Sequence, residues 1–160
     1  MNFAHMHLMI NEVPLWASVF ASVLFLVAAL TVERENWVRA GLTLLAFSVL
    51  GAATAFLSGI PAVDVITNAP RSSGRALSQH HFRATVAGAV AVVSAVVSAV
   101  AFVRSRGRDE PFSRATILVL MATSLLQASA IAWTAQAGGR INHPELQGTG
   151  DLEEGPAGPH

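Results

Sequence analysis

The chain is predicted to be an all-α integral membrane protein, a four-helix bundle with both termini on the same side. Two observations carry this expectation. Of its 160 residues 52% are hydrophobic and only 12% charged, and the apolar residues fall in four charge-free stretches, 13–32, 40–63, 84–103 and 115–139. About 20 residues, rising roughly 1.5 Å each, cross the roughly 30 Å hydrocarbon core of a bilayer, so each stretch is long enough. Helices of soluble domains keep a polar face, whereas these runs are apolar around most of their circumference. Residues 1–143 are therefore read as one transmembrane domain, with helices at about 8–32, 37–59, 79–103 and 113–138. Residues 144–160 are read as a flexible tail, because "GTGDLEEGPAGPH" offers almost no apolar side chain to bury.

Helix one has no Lys or Arg ahead of it and no small-residue cleavage pattern behind it, so it is expected to remain in the protein. His7, Asn11, Pro14, Ser18 and Ser22 share one face, and Met9, Val13, Trp16, Phe20 and Val27 lie opposite. Small and polar residues mark helix contacts in a membrane and bulky apolar ones face lipid, so the first set is predicted to point inward, provided the helix begins before His7. Asn11, four residues on, is then placed to hydrogen-bond a ring nitrogen of His7. His5 would point elsewhere on a helix, and a His5–His7 chelate would need extended backbone.

Helix two carries Gly41, Ser48, Ala52, Ala55 and Gly59 at interior spacing. The connection that follows, "IPAVDVITNAPRSSGRALSQ", is the longest, and its Pro, Gly and Ser content predicts a loop able to cover one end of the bundle. In helix three, His80 stands above Ala84, Ala87, Ala91, Ser94 and Ser98, while Phe82, Val86, Val90, Val93, Val97 and Val100 lie opposite. His80 is thus expected to look inward, and His81, rotated by about 100°, to sit on a flank. Helix four places Ser124, Gln127 and Thr134 inside, and the deep amide of Gln127 requires a partner on another helix. Gly138 and Gly139 are expected to end this helix and Pro144 to prevent its resumption, returning His143 to the surface.

The absence of cysteine removes disulfides, thiolate metal ligands, c-type haem attachment and iron–sulfur clusters. All ten positive charges are arginines. Arg34 and Arg39 lie between helices one and two, and Arg104, Arg106, Arg108 and Arg114 between helices three and four, both short loops in which the positive-inside rule applies best. The expected setting is a bacterial inner membrane with both termini facing the periplasm. His5, His7, His80, His81, His143 and His160 then all fall on the outward side, and an even number of spans keeps them together even if the chain is inverted. No basic patch suits nucleic acid. A nucleophilic enzyme is disfavoured too, since Ser18 or Ser22 near His7 lacks a buried carboxylate to orient a base.

His7, Leu8, Asn11 and Pro14 resemble the H-L-x-x-N-H-x-P opening of a widespread, poorly characterised bacterial family of four-helix membrane proteins. "FLSGIPAVDVI" is similar to that family's second-helix exit, "LSQHHFRA" to its histidine-bearing start of helix three, and "AWTAQAGGRINHPEL" to its W-T-A-x-x-G-G-x-I-R-H-P-E ending. The likeness covers most of residues 5–146, with the ending its most specific part. Glu12 stands where the family has a second histidine, and Asn142 where it has arginine. The resemblance implies the four-helix membrane fold and picks out His7, His80 and His143 without naming a chemistry.

Two classes of function follow. Inward histidines on facing helices suit the axial positions of haem b, in an electron-transfer protein or subunit that exchanges electrons with quinol or a periplasmic carrier. His7 and His80 are then the favoured ligands, with His81 flanking, Asn11 behind His7, and Arg83 and Arg140 for the propionates. A variant of this class is a Cu or Zn site built from His5, His7, His80, His143 and Glu12. The other class is an accessory or structural subunit of a larger membrane complex, without cofactor, whose histidines bond headgroups or a neighbouring subunit.

Overall fold

A computed structural model describes residues 10–67, 74–106 and 112–142, and the side chains within 10–60, 75–106 and 112–139. The described residues form four helices, α1 (Val13–Leu30), α2 (Arg34–Thr67), α3 (Gly74–Ser105) and α4 (Arg114–Asn142). Each is long and apolar enough to cross a bilayer, and the chain is an integral membrane protein. Each helix packs against its neighbours in sequence, and α4 closes the ring on α1; the thinnest of the four seams is that between α2 and α3.

Local chemistry explains the ends. Asn11 and Glu12 form a turn, and α1 starts at Val13 with Pro14 in its first turn. A proline ring there would collide with the carbonyl four residues back, that of Ile10, so the helix described starts afresh at Val13 after the turn; the expected start at residue 8 lies outside the described residues. At the other end Thr31 is extended and its N–H still reaches the Val27 carbonyl at 3.0 Å. The α4 helix opens on Ser113, whose hydroxyl accepts the Thr116 N–H at 3.1 Å, a side-chain cap.

Three helices run past their expected limits. Proline at 61 removes one backbone bond, yet α2 continues through it to Thr67. On the far side α3 starts at Gly74, so helix occupies both flanks of the long loop expected after Gly59, and residues 68–73 between them lie outside the described residues. The third case is α4, which passes through Gly138 and Gly139 to Asn142, so the expected glycine stop is corrected. A helical glycine costs only about 1 kcal/mol against alanine, which the packing described below offsets. The tail, 144–160, lies outside the described residues.

The interior divides along its length. At the arginine-rich end Ala21, Phe25, Ala28, Val38, Leu42, Leu45, Ala101, Phe112, Ile117 and Leu120 form a hydrophobic cluster drawn from all sides. Phe25 lies against Gly41 so closely that a Cβ there would stand 2.6 Å from its ring. Towards the other end the buried residues turn small and polar: Ser18, Ser22, Ser48, Ser58, Ser94, Ser124, Gln127 and Thr134. These hydroxyls mostly bond carbonyls of their own helix, but some cross between helices. Ser48 Oγ donates to the Pro14 carbonyl at 2.6 Å and accepts from Gln127 Nε2 at 2.6 Å. The hydroxyls of Ser22 and Ser124 meet at 2.8 Å. The interhelical partner required by Gln127 is thus Ser48, and the network ties α1, α2 and α4 together at a depth where no water competes.

Candidate functional site

The site is built where α3 meets α4 at the histidine end. Helical phase decides which imidazole enters. Ala87, Ala91 and Ser94 are buried while Phe82, Val92, Val93 and Val100 are exposed, which turns His80 towards the bundle and leaves His81 exposed. The expected lipid-facing set is corrected in part, since Val86, Val90 and Val97 are half-buried and Val97 packs on the hydrophobic cluster. A helix in a four-membered ring touches two neighbours, so its buried arc is wider than one stripe.

His80 Nδ1 lies 3.2 Å from the Thr134 carbonyl of α4. A carbonyl oxygen only accepts, so Nδ1 carries a proton, and in the neutral ring the lone pair is then on Nε2. Gly138, one turn beyond Thr134, is the seat of the ring: a Cβ there would stand 3.3 Å from Cε1 and 3.4 Å from Nδ1 of His80. The glycine that reads as a helix stop serves to admit this imidazole. Its signal was present in the spacing of Gln127, Ile131, Thr134 and Gly138, which continues one inward face.

One turn along α3, Arg83 makes a second clasp on α4. Its Nη1 donates to the Trp133 carbonyl at 3.0 Å and to Gln136 Oε1 at 3.4 Å, and its guanidinium lies 4.7 Å from the Trp133 ring centroid. Phe82 meets the same indole edge-on at 6.3 Å. These contacts hold Arg83 at the α3–α4 seam beside His80.

The other sequence-derived candidates divide by position. Asn11 is half-buried in the turn before α1, and Glu12 is exposed at the N-cap without a side-chain cap bond. Arg140 is placed in α4 by its backbone alone. His5, His7, His143 and His160 lie outside the described residues, and with them the expected His7–Asn11 bond. Among the described residues no group of three or more His, Asp or Glu converges as a metal cage would. Two grooves, of about 610 and 580 Å³, open at the arginine-rich end, one between α2 and α3 and one between α3 and α4, and His80 lines neither.

Comparison with protein-family models, with curated proteins and with solved structures finds no match. The reading of the site therefore rests on its own chemistry.

Proposed function

We propose that this chain is a membrane electron-transfer protein, or a subunit of one, that holds haem b through histidines at one end of its bundle. The observation that supports this is the seating of His80. Its ring is turned inward and its Nδ1 faces a backbone carbonyl, the engagement that orients a ligating imidazole, with Nε2 then the nitrogen that a haem iron would take. That is the arrangement an axial imidazole needs, and the small residues Ala84, Ala87 and Ala91 follow it down the same helix face. Haem would supply one-electron chemistry that a chain without cysteine or tyrosine lacks. The second ligand would be His7, with His143 as the other candidate, and Arg83 and Arg140 would offer guanidinium groups to the propionates. A quinol or a periplasmic carrier would exchange the electron, in a bacterial inner membrane with the histidine end outward.

A second reading has its own support. His80 and Arg83 both spend donors on α4 carbonyls, which is also what a purely structural clasp in an accessory subunit would do. A Cu or Zn site on His80 would draw its remaining ligands from His5, His7, His143 and Glu12. A reduced-minus-oxidised absorption spectrum of the purified chain, with metal analysis of the same sample, separates the three. Haem bands that are lost in His80→Ala and retained in His81→Ala support the proposal. A flat spectrum with bound metal selects the metal site, and a flat spectrum without metal selects the accessory subunit.

A further inference from the structure

A groove of about 610 Å³ runs between α2 and α3 at the arginine-rich end. Leu42, Ala46, Val49 and Leu50 of α2 face Ala95, Ala99 and Phe102 of α3 across the thinnest seam of the bundle. From Arg39 to Leu50 the groove follows α2 for about 16 Å, at roughly 1.5 Å per residue, which is about half of a roughly 30 Å hydrocarbon core. Its depth is therefore that of a single leaflet. Ser98 Oγ, a buried hydroxyl in its wall, has no partner among the described residues.

Charge is concentrated at its mouth. Arg39 lines the α2 side; Glu35 takes its Nε at 2.9 Å and its Nη2 at 2.8 Å, which leaves the Nη1 donors for another acceptor. On the α3 side the guanidinium of Arg106 lies 5.5 Å from the ring centroid of Phe102, itself a wall of the groove. Around the two helix connections at this end the sequence carries six arginines, Arg34, Arg39, Arg104, Arg106, Arg108 and Arg114, against four acidic residues, Glu33, Glu35, Asp109 and Glu110. An apolar channel one leaflet deep, with the Arg39 guanidinium in its lining and that of Arg106 stacked on its Phe102 wall, matches an acyl chain that ends in an anionic phosphate.

We propose that the α2–α3 groove is a binding site for an anionic phospholipid of the leaflet at the arginine-rich end, its acyl chain along Ala46 and Ala99 and its phosphate between Arg39 and Arg106. The site is independent of the haem proposal, since it lies at the opposite end from His80. The test uses the full chain reconstituted in nanodiscs of phosphatidylcholine with or without phosphatidylglycerol, followed by extraction and native mass spectrometry of retained lipid. Phosphatidylglycerol should be retained in preference to phosphatidylcholine. Arg39→Gln and Arg106→Gln should each weaken that preference about fivefold, the effect of removing one surface cation from an anionic headgroup. Ala99→Phe, which fills the groove and leaves both arginines, should abolish retention while helix content by circular dichroism stays unchanged. Equal retention of the two lipids would overturn the proposal. So would a preference that survives Ala99→Phe, or a cross-linked dimer formed through cysteines at Ala46 and Ala99, which would assign the groove to a second copy.

Discussion

Alanine at positions 138 and 139 separates the two roles a helical glycine can play. Either change raises helix propensity by about 1 kcal/mol, because glycine loses more backbone entropy on folding than alanine does. Nothing lies within 4 Å of a Cβ built at Gly139, so Gly139→Ala is expected to show that gain in full. At Gly138 the added carbon would stand 3.3 Å from Cε1 of His80, and the ring must retreat by a few tenths of an ångström. The Nδ1 to Thr134 distance is already 3.2 Å, so the same retreat takes the bond to the edge of hydrogen-bonding range. A bond of this kind contributes about 0.5–1.5 kcal/mol. Gly138→Ala is therefore expected near the parent chain in stability and about 1 kcal/mol below Gly139→Ala. Unfolding by SDS in mixed micelles measures the difference, and ¹⁵N spectra of labelled histidine report whether Nδ1 keeps its proton. Equal stabilisation by the two alanines, with an unchanged His80 signal, would refute the claim that Gly138 seats the imidazole.

The same titration tests the rest of the interior. Gly41→Ala would place a carbon 2.6 Å from the fully buried Phe25 ring and should cost about 1–3 kcal/mol; a smaller loss would mean the ring has room to move. Ser48→Ala removes the partner of the Gln127 amide, whose Oε1 already has none among the described residues, and should cost about 1–3 kcal/mol. Gln127→Leu should be close to neutral, because it removes the orphaned oxygen while Ser48 keeps the Pro14 carbonyl; the reverse ranking would break the network as described. For topology, single cysteines in this cysteine-free chain at Gln79 and Ser113, both exposed, should respectively react with and resist a membrane-impermeant maleimide in intact cells. The opposite pattern would invert the orientation.

The four spans and the inward turn of His80 were legible because periodicity reports which side chains share a face, and Ala87, Ala91 and Ser94 follow that rule. Gln127 was legible as a residue in need of a partner. Ser48 was not legible as that partner, since register between helices is set by packing and not by either sequence alone. The acceptors at Pro14 and Thr134 were hidden for a different reason: both are backbone carbonyls, and a sequence pattern carries no information on which carbonyl a distant side chain reaches. Helix ends were misjudged where hydropathy stood in for structure. Apolar character stops at the membrane boundary, but a helix whose backbone bonds are internally satisfied continues past it, as α2 does to Thr67.

The bonding pattern gives α3 a particular position in the bundle. Gln127, Ser48, Pro14, Ser22 and Ser124 pin α1, α2 and α4 together near the middle of the membrane. From α3, His80 and Arg83 bond α4 carbonyls near the histidine end, while its far turns border the two grooves beside Val96, Val97, Phe102 and Arg104. Only 22% of its span is buried, against 44% for α4, so less side-chain packing opposes its displacement. An occupant at His80 and an occupant of the α2–α3 groove would therefore act on the same helix from opposite ends. If α3 moves as one rigid rod, filling the groove changes the His80–Thr134 distance. Ala99→Phe should then shift the ¹⁵N signal of His80 from roughly 29 Å away along the helix, at about 1.5 Å per residue. An unshifted signal would show that α3 absorbs the change locally and that its two ends act separately.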